Sequence, residues 1–76
     1  MLKEHERVVL LTTIADEGLE AGDVGAIVHV YRDGQAYEVE FVALNGRTWA
    51  VFTVDTRHVR PVTGRDMTHA RELQMA

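Results

Sequence analysis

Hydrophobic and polar residues alternate along much of this chain with a period of two, which is typical of β-strands and not of helices. The clearest alternation places Tyr37, Val39 and Phe41 on one face and Glu38 and Glu40 on the other. Other segments are rich in the β-branched and aliphatic residues that favour strands. The pattern predicts five strands, at residues 7–12, 24–31, 36–42, 48–54 and 59–62.

Turn signals separate the predicted strands. Asp33-Gly34 and Asn45-Gly46 are pairs that tolerate the positive φ angles of tight hairpin loops. The polar link before the fifth strand predicts a single 3₁₀ turn. Because Pro61 has no N–H to donate, we expect the fifth strand to lie at an edge of the sheet.

A long segment without a clear period, residues 13–23, lies between the first two predicted strands. It contains two glycines and four acidic residues, so we interpret it as a loop with Leu19 pointing inward. A short helical turn over residues 16–19 is the alternative. Residues 22–25 have the G-x-x-G spacing of a nucleic-acid clamp. That clamp is basic and lies between helices, so a tight turn with close backbone approach is favoured here.

The order of these elements is that of an SH3-like barrel. Three strands in a meander cannot bury an apolar face alone, so the first and last strands must fold back to cover it. We therefore predict an all-β, SH3-like, five-stranded small barrel over residues 1–64. Its predicted core consists of Val8, Leu10, Val24, Val28, Val30, Val39, Phe41, Ala50, Phe52 and Val59.

The C-terminal tail, residues 65–76, is expected to be a short helix or disordered. Met67, Ala70 and Leu73 are spaced three apart, but isolated helices of this length are marginal in water. The tail is therefore expected either to fray or to dock on another surface. Burial of Met67, Leu73 and Met75 between chains would make it a site of homo-oligomer formation.

Composition excludes several kinds of chemistry. The 76 residues are 46% hydrophobic and 26% charged, which is typical of one globular domain. There is no cysteine and no serine, which excludes thiolate sites and Ser-His-Asp catalysis. No apolar run approaches the ~20 residues of a membrane helix, and the charged start lacks the apolar stretch of a signal peptide. We expect a cytoplasmic protein that does not associate with membranes.

Three segments carry a family resemblance. The stretches GDVGAIV at 22–28, YEVEF at 37–41 and RHVRPV at 57–62 resemble a family of very small bacterial proteins of unknown function with the pattern GDxGxIV…EVEF…LRPV. The chain is also similar, more loosely, to the SH3-like module of the nitrile hydratase β subunit. Nothing in the chain resembles that enzyme's metal-binding subunit, so the resemblance does not imply its activity. The resemblance implies an SH3-like barrel that is a partner of neighbouring gene products, including toxins, and it supplies no catalytic residues.

Charge is unevenly distributed. The first 40 residues carry nine acidic and three basic side chains, and the rest of the chain carries three acidic and five basic ones. Asp16, Glu17, Glu20 and Asp23 make the long loop acidic, but their spacing fits no calcium loop. A solvated loop is favoured, and the functional alternative is a contact surface for a basic protein.

The only basic cluster comprises Arg57, His58, Arg60 and Arg65. It is able to contact phosphates or an acidic partner, although a solvated end of the barrel is the favoured interpretation. The net charge of −4 makes nucleic acid the less favoured partner, because nucleic-acid binders usually carry a basic face.

Candidate catalytic groups are few. Glu38 and Glu40 are expected to lie about 7 Å apart on one face of a strand. No set of substrate-binding residues accompanies them, so we expect both side chains to face outward and to make the protein soluble. Four histidines occur without a metal-binding spacing: His5, His29, His58 and His69. We therefore predict no catalytic residue, no cofactor and no metal, and we expect that the protein is not an enzyme.

The aromatic residues argue against polyproline binding. SH3 domains that bind polyproline use loop aromatics, and the long loop here has none. Trp49 with Tyr31 or Tyr37 remains a candidate exposed patch. We predict a non-catalytic protein-interaction module, the antitoxin or accessory partner of a co-encoded protein; the alternative is a nucleic-acid-binding barrel that uses residues 57–65. The predicted partner contacts are Asp16, Glu17, Glu20, Tyr31, Trp49, Arg57 and Arg60.

Overall fold

The computed structural model describes residues 2–73 and shows an all-β protein. Its strands form one antiparallel sheet in the order β4-β3-β2-β1-β5. The strands are β1 (Arg7–Leu10), β2 (Val24–Tyr31), β3 (Ala36–Val42), β4 (Thr48–Asp55) and β5 (Val59–Pro61), and 3₁₀ turns lie at Ala15–Glu17, Arg32–Gly34 and Thr56–His58. The predicted all-β small-barrel class is confirmed, although β4 does not pair with β5 and the sheet is not closed.

Both predicted hairpins are present, but their turns differ. At the first turn Arg32 and Asp33 have φ angles of 40° and 58°, so the left-handed conformation extends over two non-glycine residues. At the second turn only Gly46 has a positive φ, of 90°, and the Ala43 N–H donates to the carbonyl of Arg47 at 2.8 Å. The second loop is therefore wider than the two-residue turn that Asn-Gly predicts.

A β-bulge in β2 overturns part of the predicted core. Ile27 pairs with Val39 and His29 pairs with Glu38, so Val28 is an extra residue without a partner on β3. Before the bulge the odd-numbered residues of β2 point toward the core, and after it the even-numbered ones do. Val24 and Val28, both predicted to be core, are 44% and 38% exposed, and Ile27 is fully buried instead.

The core otherwise follows the predicted alternation. Leu19 is buried, as the interpretation of the long loop requires, and Val54 joins it from β4. Val30, Ala50 and Phe52 are only half-buried, and Val30 and Phe52 pack against the core. The predicted core residues that the structure confirms as buried are Val8, Leu10, Val39, Phe41 and Val59.

Gly25 is the point of closest approach within the sheet. A Cβ atom at this position would lie 2.5 Å from Val39 Cγ1 and 2.9 Å from the Glu40 carbonyl oxygen. Real Cβ atoms do not approach backbone this closely, so only glycine fits here. The close backbone approach expected for residues 22–25 is therefore present at Gly25, and Gly22 forms the turn with a φ of 100°.

The C-terminal tail contains no helix within residues 65–73, so the helical alternative is wrong for this part. The segment instead docks against the long loop and the start of β2, as described below. The predicted contribution of Met75 falls outside the described residues. As expected for a proline-containing strand, β5 lies at an edge and pairs only with β1. No helix in residues 2–73 is long and apolar enough to cross a membrane.

Candidate functional site

The long loop has a fixed conformation because its two ends are joined. The backbone N–H and carbonyl groups of Ile14 and Leu19 bond reciprocally at 2.9 and 3.1 Å, which closes a short 3₁₀ turn between them. Gly18 ends that turn in the left-handed conformation, with a φ of 69°. Because the Leu19 side chain is buried, the turn is anchored to the core and its acidic residues face outward.

A second turn fixes the position of Asp23. The Glu20 N–H donates to Asp23 Oδ2 at 2.8 Å, and the Asp23 N–H donates to the Glu20 carbonyl at 3.0 Å. The Gly22 N–H also donates to the Leu10 carbonyl on β1, at 2.7 Å. The Asp23 carboxylate is thereby held at the base of the loop, where only 12% of its side chain is exposed.

Arg71 of the C-terminal tail binds into this turn. Its Nε and Nη2 donate to the two carboxylate oxygens of Asp23 at 2.9 and 2.6 Å. Nη2 also donates to the Gly18 carbonyl at 2.8 Å, and Nη1 lies 3.6 Å from Glu20 Oε2. We call the receptor formed by Gly18, Glu20 and Asp23 the arginine notch.

The electrostatics of the notch favour the charged forms of both partners. Partial burial alone would raise the pKa of Asp23, but the hydrogen bonds from Arg71 and from the Glu20 N–H outweigh it and lower the pKa below its usual value. The hydrogen bond to Asp23 in turn raises the pKa of Arg71. His69 Nε2, at 3.6 Å from Asp23 Oδ1, adds a second basic group of the tail.

Two predicted contact residues, Asp16 and Glu17, lie exposed on the same loop beside the notch. Trp49 is joined to this loop, because its Nε1 donates to the Glu17 carbonyl at 3.1 Å and its ring packs against Gly18. Trp49 has no partner on β3, since Phe41 pairs with Ala50 and Val42 with Thr48. This irregularity leaves the indole half-buried beneath the loop and not free as an exposed anchor.

The predicted aromatic patch does not form. Tyr37 is buried in the core, and Tyr31 pairs with Ala36 at the end of β3 opposite to that near Trp49. Tyr31 donates from its hydroxyl to Glu38 Oε1 at 2.6 Å and packs edge-on against His29, with ring centroids 4.3 Å apart. The three aromatic residues therefore belong to three different environments.

The paired carboxylates of β3 are engaged separately. Glu38 accepts from the Tyr31 hydroxyl, and Glu40 accepts from the Thr48 hydroxyl on β4. The two side chains thus bond to opposite neighbouring strands and do not face a shared substrate position. This geometry fits side chains that stabilise the outer face of the sheet.

Acidic neighbours neutralise much of the basic cluster. Arg57 Nε lies 3.1 Å from Asp55 Oδ1, and Arg60 bonds to both carboxylate oxygens of Asp66, at 2.7 and 3.1 Å. The Arg60 hydrogen bond holds the pKa of Asp66 far below its usual value. Of the predicted cluster, Arg60 is therefore part of a bidentate ion pair and Arg57 carries its own counter-charge.

A cleft of about 760 Å³ runs between the tail and the outer face of the sheet. Its floor includes Val24 and Val42, which are 44% and 45% exposed. Its tail side includes Met67 and Leu73, and Asp23 lies among its lining residues. Asp23 therefore belongs to both the cleft and the arginine notch, so the two surfaces adjoin; the cleft lining also carries the charged side chains of Arg7, Glu40, Asp66 and Glu72.

Within residues 2–73, no group of three or more His, Cys, Asp or Glu side chains is placed to hold a metal ion. The notch itself was missed by sequence reasoning, because Arg71 lies 48 residues from Asp23. The signal that pointed toward it is the charge division of the chain, acidic in its first half and basic in its second. That division indicates an attraction between the halves, but not which residues meet.

The comparisons with known proteins identify a family. Residues 4–61 match the family described as a domain of unknown function (DUF4926). No curated protein and no solved structure matches the chain. The match spans β1 to β5 and leaves the docked tail outside. Because it covers well over half of the sequence, the chain belongs to this family of domains of unknown function.

Proposed function

We propose that the protein is a non-catalytic interaction module that binds another protein through its acidic long loop. The observation that carries this proposal is the arginine notch, a receptor fixed by backbone hydrogen bonds and already filled by a guanidinium group. Asp16 and Glu17 extend the negative surface beside it and are exposed. A basic partner surface complements this arrangement in charge.

The role of antitoxin or accessory partner to a co-encoded protein rests on the family resemblance alone. The proposal treats the sheet as an SH3-like barrel, related in shape to the module of the nitrile hydratase β subunit, and places the protein in the bacterial cytoplasm. Such barrels are reused for many purposes, so the partner has to be identified from the chemistry of the surface and not from the fold.

Co-purification with the products of neighbouring genes tests the proposal. We expect capture of one partner by the wild-type chain and a loss of at least about tenfold in affinity, strongest at low salt, in the double variant Asp16→Asn/Glu17→Gln. Asp33→Asn is the matched control, since Asp33 is an exposed acid in the β2–β3 turn. Equal capture by the double variant and the wild type would show that the acidic loop is not the interface.

The alternative function is nucleic-acid binding through Arg57, Arg60 and Arg65. The exposure of Arg57, 78% of its side chain, favours it, whereas the Asp55 and Asp66 counter-charges weigh against it. We expect no salt-dependent oligonucleotide binding; binding that weakens in Arg57→Ala/Arg60→Ala would establish this alternative instead.

A further inference from the structure

Side chains alone attach residues 67–73 of the tail to the rest of the molecule. Within residues 64–73, the only backbone–backbone hydrogen bond is from the Asp66 N–H to the Thr63 carbonyl, at 3.1 Å. Beyond Asp66 the polar attachments are Arg71 in the notch and His69 beside Asp23. Segments held in this way open at low free-energy cost, because few backbone bonds must break.

The surface beneath the tail is suited to an extended chain. The cleft leads from the exposed aliphatic side chains of Val24 and Val42 to the carboxylate of Asp23. The tail lies there without helix or strand, with Met67 90% exposed. The tail therefore fills the notch fully but covers the apolar surface only in part.

The notch is matched to arginine and not to positive charge in general. Asp23 receives two parallel N–H donors from one planar group, and the Gly18 carbonyl receives a third bond from the same group. A lysine ammonium is a compact charge whose three donors share one nitrogen, so it cannot make the planar contact of two nitrogens with the two oxygens of Asp23. The geometry consequently selects a guanidinium.

We propose that the arginine notch is the binding site for an arginine of an extended segment in the partner protein, and that Arg71 is its competitor within the same chain. The inference deepens the proposed function and rests on it, because it assumes that a protein partner exists. The tail then acts as a detachable strap. In the free protein the tail occupies the notch. It leaves when a segment of the partner, which carries an arginine with aliphatic residues beside it, binds there instead.

The strap weakens partner binding by the fraction of time for which it closes the site. An intramolecular competitor lowers the apparent affinity in proportion to the open population. Removing the Arg71 side chain should therefore tighten binding without adding any contact to the partner. This direction is opposite to the result expected if Arg71 itself contacted the partner.

A peptide that copies residues 66–73 is the probe, titrated into the full-length chain and followed by the backbone amide signals of Gly18 and Glu20. We expect Arg71→Ala to bind it about tenfold more tightly than the wild type, as for a site open about a tenth of the time. Adding Asp23→Asn to that variant should abolish binding. The same peptide with lysine in place of arginine should bind at least about fivefold more weakly.

Arg65→Ala is the matched control, because Arg65 is an exposed arginine of the same tail; its affinity for the peptide should equal that of the wild type. Arg71→Lys gives a second variant with the charge retained, and it should lie between the wild type and Arg71→Ala. Equal affinities for the wild type and Arg71→Ala, or for the arginine and lysine peptides, would overturn the inference.

The outcomes also separate this inference from the proposed function. If a co-encoded partner is captured equally by the wild type, Arg71→Ala and Asp23→Asn, the proposed interaction module stands. The notch then serves only to hold the tail of the same chain. If the arginine peptide binds as expected but no co-encoded protein is captured, the notch stands as an arginine site and the proposed partner is wrong.

Discussion

Asp23 combines three tasks in one side chain. It closes its own turn by accepting from the Glu20 N–H, it binds Arg71, and it lines the cleft. The hydrogen bonds to Arg71 and to the Glu20 N–H are strongest with the ionised carboxylate, which accepts on both oxygens. Protonation would therefore weaken the turn and release the tail in one step, which couples the stability of the molecule to pH.

The sign of this coupling follows from the direction of the pKa shift. Partial burial raises the pKa of Asp23, but the hydrogen bonds from Arg71 and Glu20 prevail and lower it in the folded state. The stabilisation is then complete above the unfolded pKa, about 4, and is lost as pH falls through the lower folded value. Asp55 and Asp66 act in the same direction, because hydrogen bonds from Arg57 and Arg60 lower their pKa values.

We predict that Asp23→Asn is less stable than the wild type at pH 7 and that this difference shrinks as pH falls below about 4. Urea unfolding at a series of pH values measures it. Asp33→Asn is the control, because it removes an exposed acid in a turn remote from the notch, and its loss of stability at pH 7 should be smaller than that of Asp23→Asn. A difference for Asp23→Asn that is constant from pH 7 to pH 2 would contradict the assignment.

At the scale of the elements, the bulge in β2 decides which face of the strand enters the core. Before the bulge, Gly25 and Ile27 point inward; after it, Val30 does. The steric reason lies on β3, where Val39 and Phe41 leave no room for a side chain at position 25. A residue with a Cβ atom does not fit at this point of the sheet. The first half of β2 therefore pairs in the register that places Gly25 there.

The bulge predicts opposite results for two adjacent aliphatic residues. Ile27→Ala should cost about 2–5 kcal/mol of unfolding free energy, because it leaves a cavity in a packed core. Val28→Ala should cost clearly less, about 0.5–1 kcal/mol, because Val28 is 38% exposed and lies outside the buried core. Urea unfolding of both variants measures the pair, and a larger loss for Val28→Ala would place the strand in the register without a bulge.

Local pattern was sufficient to predict most of the fold. The bounds of β2 and β3, the hairpins, the edge position of Pro61 and the inward Leu19 all follow from alternation, turn residues and backbone chemistry. The bulge could not be predicted, because it depends on how Gly25 meets side chains of another strand. The docking of Arg71 could not be predicted either, because charge pairing between distant segments leaves no periodic signal in the sequence.

On the scale of the whole molecule, the chain divides into a family domain and a tail of different character. The family match ends at residue 61, the last residue of β5. The five strands hold one another through antiparallel ladders that join β4, β3, β2, β1 and β5 in that order, whereas residues 65–73 of the tail contribute none of the buried core residues. The division of the chain into a barrel at 1–64 and a tail at 65–76 therefore makes a direct prediction about folding.

We predict that the chain ending at Gly64 keeps its sheet and unfolds cooperatively, with a loss of at most about 2 kcal/mol. The lost contacts are partly exposed ion pairs, each worth about 0–1 kcal/mol, with more for the bidentate Arg71–Asp23 pair. Far-ultraviolet circular dichroism and urea unfolding measure the retained structure and the loss. The uncut Arg71→Ala and Asp66→Asn variants are the comparisons: together they should account for most of the stability change, since Arg71 and Asp66 make most of the polar contacts of residues 65–73. A shortened chain that fails to fold would show that the tail is part of the domain and not a strap laid upon it.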